Sequence, residues 1–203
     1  MTDSTRLAEQ QLRRMRGMTG MYHKQFFRDI TITTVSVITL FVVGWWAVPH
    51  AFLLIPAVSL MGAVQTAFDS SYLIFARWYA LYLERYLNGQ AGERILVAAS
   101  LESTYLFPLR ARKIVTIPLG PGFSWFSLVT VVYTVIGALA YAFGLVLGWE
   151  VLTSATPSIQ ALYLIPLVGI TVLVMVVGIW WFVGGEGERR LEATLETEFG
   201  AQT

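Results

Sequence analysis

Four stretches of the chain are apolar over the length that a bilayer demands, roughly 20 residues to cross about 30 Å of hydrocarbon. They run from about Ile30 to Val48, Ala51 to Ser71, Phe123 to Trp149 and Ile159 to Val183. None alternates apolar and polar positions with the period of two that a barrel strand shows. Each therefore predicts a helix, the form that satisfies its own backbone in lipid. Pro49-His50 leaves room only for a tight turn between the first two stretches, and a slightly longer turn around Pro157 separates the last two. The pattern predicts an all-α integral membrane protein with four transmembrane helices arranged as two hairpins, residues 30–71 and 123–183. The first stretch follows 29 mostly polar residues and leads at once into the second, which is not the layout of a cleaved signal peptide.

The polar segments carry patterns of their own. In residues 1–29, Ala8, Leu12, Met15, Thr19, Tyr22 and Phe26 recur at spacings of three and four, with arginines opposite. This predicts an amphipathic helix, weakened at Gly17 and Gly20, that lies on the membrane or packs against a partner helix. A solvated extension whose arginines only set topology is the competing reading. In the insert, residues 72–122, the helical pattern continues through Arg77-Trp78-Tyr79 to Tyr86-Leu87 and is expected to stop at Asn88-Gly89. Glu93 to Leu106 predicts a second short helix ended by Pro108. Lys113 to Leu119 reads as extended and Gly120-Pro121-Gly122 as a turn. An insert this short is near the lower limit for an independent domain and is expected to pack on itself or on neighbouring subunits.

The acidic tail, residues 184–203, opens on a flexible joint at Gly184-Gly185 and Gly187. Leu191, Leu195 and Phe199 then fall at i, i+4 and i+8 among five glutamates. It could pair with the basic N-terminal helix of the same or another subunit. Two independent solvated tails are the alternative, since exposed charge pairs contribute only about 0–1 kcal/mol each.

Gly44-Trp45 resembles Gly148-Trp149, and the run Leu53 to Val58 resembles Tyr163 to Val168. These read either as a parallel duplication or as coincidence, since the two offsets differ (104 and 110). Pro56 and Pro166 predict kinks near the outer ends of the second and fourth spans.

Composition agrees with the pattern. Of 203 residues, 56% are apolar and 13% charged, and mean hydropathy is +0.62; soluble domains run about 45–50% and about 25%. That excludes a soluble globular enzyme and a disordered chain, and the absence of cysteine excludes a disulfide scaffold. A net charge of +1 offers nucleic acid little footprint, so none is expected as a partner. Six Lys and Arg precede the first span, six lie between the second and third, two follow the fourth, and the short turns hold none. By the positive-inside rule both termini and the insert are expected to be cytoplasmic, and the membrane is taken to be a prokaryotic inner membrane. Trp45, Trp46 and Trp149 are expected at the outer interface, and Trp125, Trp180 and Trp181 at the inner one.

Catalytic chemistry is sparse. His23 and His50 fall on opposite sides of the membrane, Lys24 and Lys113 lie outside the spans, and no nucleophile elbow, zinc-protease, phosphate-loop or dinucleotide motif occurs. No enzyme activity, cofactor or metal is expected.

The informative polarity lies inside the spans, where polar side chains need a reason. Ser59, Gly62, Thr66 and Asp69 share one face of the second helix, with Gln65 beside them. On several copies around an axis these would line a path, and Asp69 would form a carboxylate ring favouring cations. At about 1.5 Å per residue from Ala51, Asp69 lies roughly 27 Å down, near the inner interface. The structural alternative pairs Asp69 with Arg77 or Arg28 and uses the hydroxyls and amide between helices. In the third span, Gly137, Ala140, Gly144 and Gly148 form a small-residue seam for close helix approach, within the chain or between chains. Thr31, Thr33, Thr34, Ser36 and Thr39 crowd the inner half of the first span. The fourth is apolar apart from Thr171 and is expected to face lipid.

These readings converge on a small homo-oligomeric ion channel or pore, gated from the cytoplasmic side by a regulatory protein or ligand, with a stress or defence effector as one concrete version. A non-catalytic accessory or scaffold subunit of a larger membrane complex is the second reading. A carrier with its site between the hairpins is the third.

Overall fold

The computed structural model describes residues 3–105, 113–114, 117–118 and 125–199. The expected stop at Pro108 and the turn at Gly120-Pro121-Gly122 lie outside the described residues, as do the side chains of Trp125 and Phe199. The described residues are overwhelmingly helical. Helix α1 runs Asp3–Trp46, α2 Leu54–Ala91, α3 Ala98–Tyr105, α4 Trp125–Thr153, α5 Pro157–Gly178 and α6 Glu186–Phe199. Two two-residue strands, β1 (Lys113–Ile114) and β2 (Ile117–Pro118), pair antiparallel, which places the extended stretch expected from Lys113 onward.

Four helices are long and apolar enough to cross a membrane: Thr5–Trp46, Pro49–Ala91, Leu128–Thr153 and Pro157–Val183. The chain is a multi-pass membrane protein by that measure.

Helix α1 has 44 residues and no break between the N-terminal segment and the first apolar stretch. Gly17 and Gly20 cost about 1 kcal/mol each relative to alanine, yet the helix passes through both, with open space beside each. It ends at Trp46, where the amides of Ala47 and Val48 both close on the Val43 carbonyl at 2.9 Å before proline starts a 3₁₀ turn, Pro49–Leu53.

Helix α2 differs from expectation at both ends. Pro56 falls in its first turn, where the missing N–H would have no helical partner anyway, so the kink predicted there has no cause. The expected stop at Asn88-Gly89 is passed, and the helix reaches Ala91 before Gly92, at φ 69°, ends it with a left-handed residue. Asn88 stays helical and works sideways. Its Oδ1 accepts from the amides of Ile95 (3.0 Å) and Leu96 (2.8 Å), and its Nδ2 donates to the Leu96 carbonyl at 2.7 Å. The following loop is thereby folded back, which explains why the next helix starts at Ala98 and not near Glu93.

Pro166 lies inside α5, which continues to Gly178. The helix then widens into a π turn, Ile179–Val183, closed by the Gly184 amide on the Ile179 carbonyl at 2.8 Å. Gly185, at φ 68°, makes the left-handed step that starts α6.

The chain divides into two compact units. One comprises Met1–Gln25, Asp69–Thr130 and Ile179–Thr203; the other comprises Phe26–Phe68 and Val131–Gly178. The first unit is built around one apolar cluster: Ala8, Leu12 and Met15 from α1, Ile74, Trp78, Leu81 and Leu87 from α2, Ala99 from α3 and Leu195 from α6. The N-terminal face expected from the spacing of Ala8, Leu12 and Met15 is thus buried against α2, and the tail face of Leu191 and Leu195 closes on the same cluster. Tyr22 stacks on Tyr72 at 4.8 Å between ring centres.

The second unit has a smaller core of Val37, Phe52, Ile55 and Ala140. Gly44 lets the Phe52 ring approach so closely that a Cβ there would stand 2.5 Å from it. Trp45 packs edge-on against the same ring at 5.8 Å.

Candidate functional site on the second helix

The residues singled out on α2 do not form an exposed lining in the single chain. Ser59 is buried, and its Oγ has no hydrogen-bond partner. Gly62 faces α1, where an added Cβ would collide with the Thr33 side chain. Thr66 returns its hydroxyl to the Gly62 carbonyl, the local bond that hydroxyl side chains make inside membrane helices. Gln65 is half-buried.

Asp69, in the other unit, is completely buried. Its Oδ1 accepts from Gln25 Nε2 at 3.2 Å. Arg28, one of the two cations considered for Asp69, salt-bridges its neighbour Asp29 at 3.0 Å. The threonines of the first span behave similarly to Thr66: Thr31 and Thr39 bond back to Phe27 and Val35, both at 2.8 Å.

The small-residue seam of α4 has its partner inside the chain. A Cβ on Gly144 would stand 2.8 Å from Ile55 and 2.9 Å from Pro56, and one on Gly148 would stand 2.9 Å from Leu53. Ala140 is buried in the same core, while Gly137 meets open space. Three of the four positions therefore seat α4 on the start of α2. The Tyr163 hydroxyl of α5 donates to the Leu53 carbonyl at 2.7 Å, and Tyr141 of α4 meets Thr171 of α5 at 2.9 Å, so α5 is bonded both to this corner and to α4.

The most demanding polar residue in the first unit is Glu84, set among the buried leucines and aromatics of α2. It is 2% exposed. Its Oε1 accepts from Arg16 Nη2 of α1 at 2.7 Å and from the Ala99 amide of α3 at 2.8 Å, and Oε2 has no partner. The carbonyl of Val97 accepts the first bond of α3, and valine has no side-chain acceptor for the free amides that follow. Glu84 caps that helix from a distance, a role that Ser, Asp or Asn usually fills locally. The signal was available only in part: Val97 is a poor cap, but nothing in the sequence names its substitute.

At the start of α6, Glu186 takes Arg190 at 2.7 Å and Arg189 at 3.1 Å. The hydrogen bond from Arg190 holds its carboxyl below the usual range. Among the described residues, no group of three or more histidine, aspartate and glutamate side chains is arranged to hold a metal ion.

The arrangement defines a multi-pass helical membrane protein. In it, Gly62 and Asp69 of the second helix meet Thr33 and Gln25 of α1, and a three-way carboxylate contact joins Glu84, Arg16 and the Ala99 amide. Compared with known protein families, curated proteins and solved structures, the chain matches none.

Proposed function

We propose that the protein is a gated ion channel assembled as a closed homo-oligomer in a prokaryotic inner membrane, with the described arrangement as its resting form. Its four spans make two hairpins with both termini and the insert in the cytoplasm. The positive-inside count supports that sidedness. The observation that carries the reading is Asp69: a fully buried carboxylate at the inner end of the second span, held by the Gln25 amide. An ionisable group at this depth is a functional hypothesis by default. Ser59, Gly62, Gln65 and Thr66 continue its face along α2, and α1 covers Gly62 through Thr33. Opening moves α1 off α2 and presents this face to the axis shared by the copies. A cytosolic protein or ligand acting on the module formed by α3, α6 and the polar ends of α1 and α2 supplies the signal.

One observation favours a second reading, a non-catalytic scaffold subunit of a larger membrane complex: two positions of this face, Gly62 and Asp69, are already engaged within the chain by Thr33 and Gln25 of α1.

Ion flux through liposomes holding only the purified protein separates the two. Gly62→Leu wedges α1 from α2 and is expected to raise flux over wild type. Asp69→Asn is expected to reduce the preference for cations. Wild-type and wedged proteins that are both silent, with unchanged gel-filtration profiles, overturn the channel in favour of the scaffold.

A further inference from the structure

In the first unit, α2, the π turn and α6 enclose a half-open cavity of about 280 Å³. Its walls are mostly apolar, formed by Ile74 and Phe75 of α2, Trp181 and Phe182 of the π turn, and Leu191 of α6, with Ser71 and Glu188 among the polar residues at its edge. At about 30 Å³ for a water-sized group in a liquid, it holds roughly nine such groups, the length of a short hydrocarbon segment. Its position follows from chain order. The second apolar stretch ends at Ser71 and the fourth at Val183, so the cavity sits where two spans reach the bilayer surface. Apolar space at that level lies within reach of acyl chains, whose burial there the hydrophobic effect favours.

The wall is built for close approach. Trp181 lies so near Gly187 that a Cβ there would stand 2.5 Å from the indole. Arg190 also lines the cavity. Its side chain is 60% exposed, and its guanidinium lies 5.2 Å from the centre of the Trp180 ring. It shares Glu186 with Arg189 and retains donors for a further anion. Thr194 contributes an exposed hydroxyl on the same side.

The geometry points to a phospholipid site: one acyl chain in the cavity, and the lipid phosphate on Arg190. Occupancy bridges α2 and α6 across the Gly184-Gly185 joint, so the site couples the tail to the bilayer. It rests on the proposed sidedness only in requiring that the ends of the second and fourth spans meet one membrane surface. It does not require conduction.

The test uses the full chain in nanodiscs doped with a phosphatidylcholine that carries a diazirine on one acyl chain. After irradiation, adducts are mapped to peptides by mass spectrometry. Adducts are expected on residues 71–75 and 181–194, in addition to the lipid-facing surfaces of α4 and α5. Thr194→Trp, which fills the cavity from an exposed position, is expected to lower the cavity adducts at least fivefold and leave those on α5 unchanged. Arg190→Gln is expected to lower them at least twofold.

Labelling of α4 and α5 with none at the cavity overturns the site while leaving the membrane-spanning reading intact. Cavity adducts indifferent to Thr194→Trp overturn it as well, because the label then reached those residues from outside. Cavity adducts indifferent to Arg190→Gln overturn the assignment of the phosphate. Labelling on neither surface overturns both the site and the membrane insertion on which it rests.

Discussion

Removing the Glu84 carboxylate should loosen α3 far more than removing its cationic partner. Glu84 Oε1 holds two donors of different value. The Ala99 amide at 2.8 Å is buried and otherwise uncapped, and a hydrogen bond to a charged group contributes about 1.5–3 kcal/mol. The Arg16 guanidinium at 2.7 Å belongs to a side chain that is 46% exposed, so solvent recovers most of what the ion pair gives, leaving about 0–1 kcal/mol. Glu84→Ala therefore costs α3 about 2–3 kcal/mol, or roughly 30- to 150-fold in its local opening constant at 1.4 kcal/mol per tenfold. Glu84→Gln keeps an acceptor for Ala99 and loses only its charge, near 1 kcal/mol and about fivefold. Arg16→Ala falls at or below that. Native-state hydrogen exchange reads this directly, since amides of α3 report the local opening free energy. The ranking Glu84→Ala well above Glu84→Gln, with Arg16→Ala last, is the expected result. Equal exchange in Glu84→Ala and wild type, or an effect of Arg16→Ala as large as that of Glu84→Ala, would refute the capping argument.

Two further expectations concern other parts of the chain. Gly144→Val puts methyl groups where Ile55 and Pro56 already stand within 3 Å of a Cβ, so overpacking by about 1–3 kcal/mol should lower the melting temperature in detergent, whereas Gly137→Val, facing open space, should not. At the start of α6, Glu186 has a depressed carboxyl pKa, so its contribution is complete above the ordinary carboxylate value of 4.5 and is lost as pH falls through the lower folded value; the opening constant of α6, read from amide exchange after correction for its intrinsic pH dependence, should rise with acidity in wild type and not in Glu186→Gln.

Much of the architecture was legible because lipid allows few solutions. Long apolar runs bounded by prolines leave only spanning helices, and the spacing of Ala8, Leu12 and Met15 picked out the side that is buried. The same logic found the tail face of Leu191 and Leu195. Periodicity assigns a face but not its partner, however. For the seam of Gly137, Ala140, Gly144 and Gly148, spacing alone does not say what it meets: Gly144 and Gly148 face Leu53, Ile55 and Pro56 of the same chain, while Gly137 faces open space. The polar face of α2 shows the same ambiguity, since Ser59, Gly62 and Thr66 suit a water-filled path and a tight contact with α1 equally well. Glu84 and Asn88 were invisible for another reason. Both act across loops on residues seven to fifteen positions ahead, and a lone polar residue in a helix carries no mark of such reach. What Pro56 does to its helix depends on its position, which sequence leaves open by a few residues: here it falls in the first turn of α2, where its missing N–H costs little.

The cluster around Trp78 draws on segments from before the first span, between the second and third, and after the fourth. Ala8 leaves the ribosome 187 residues ahead of Leu195, its partner in that cluster. At about 5–20 residues per second, the early face waits roughly 10–40 s for α6. During that interval α2 can already cover the early face, but the cluster lacks the Leu195 side chain that closes it. A chain truncated before α6 keeps that gap for good, so its first unit should open more readily than that of the intact chain.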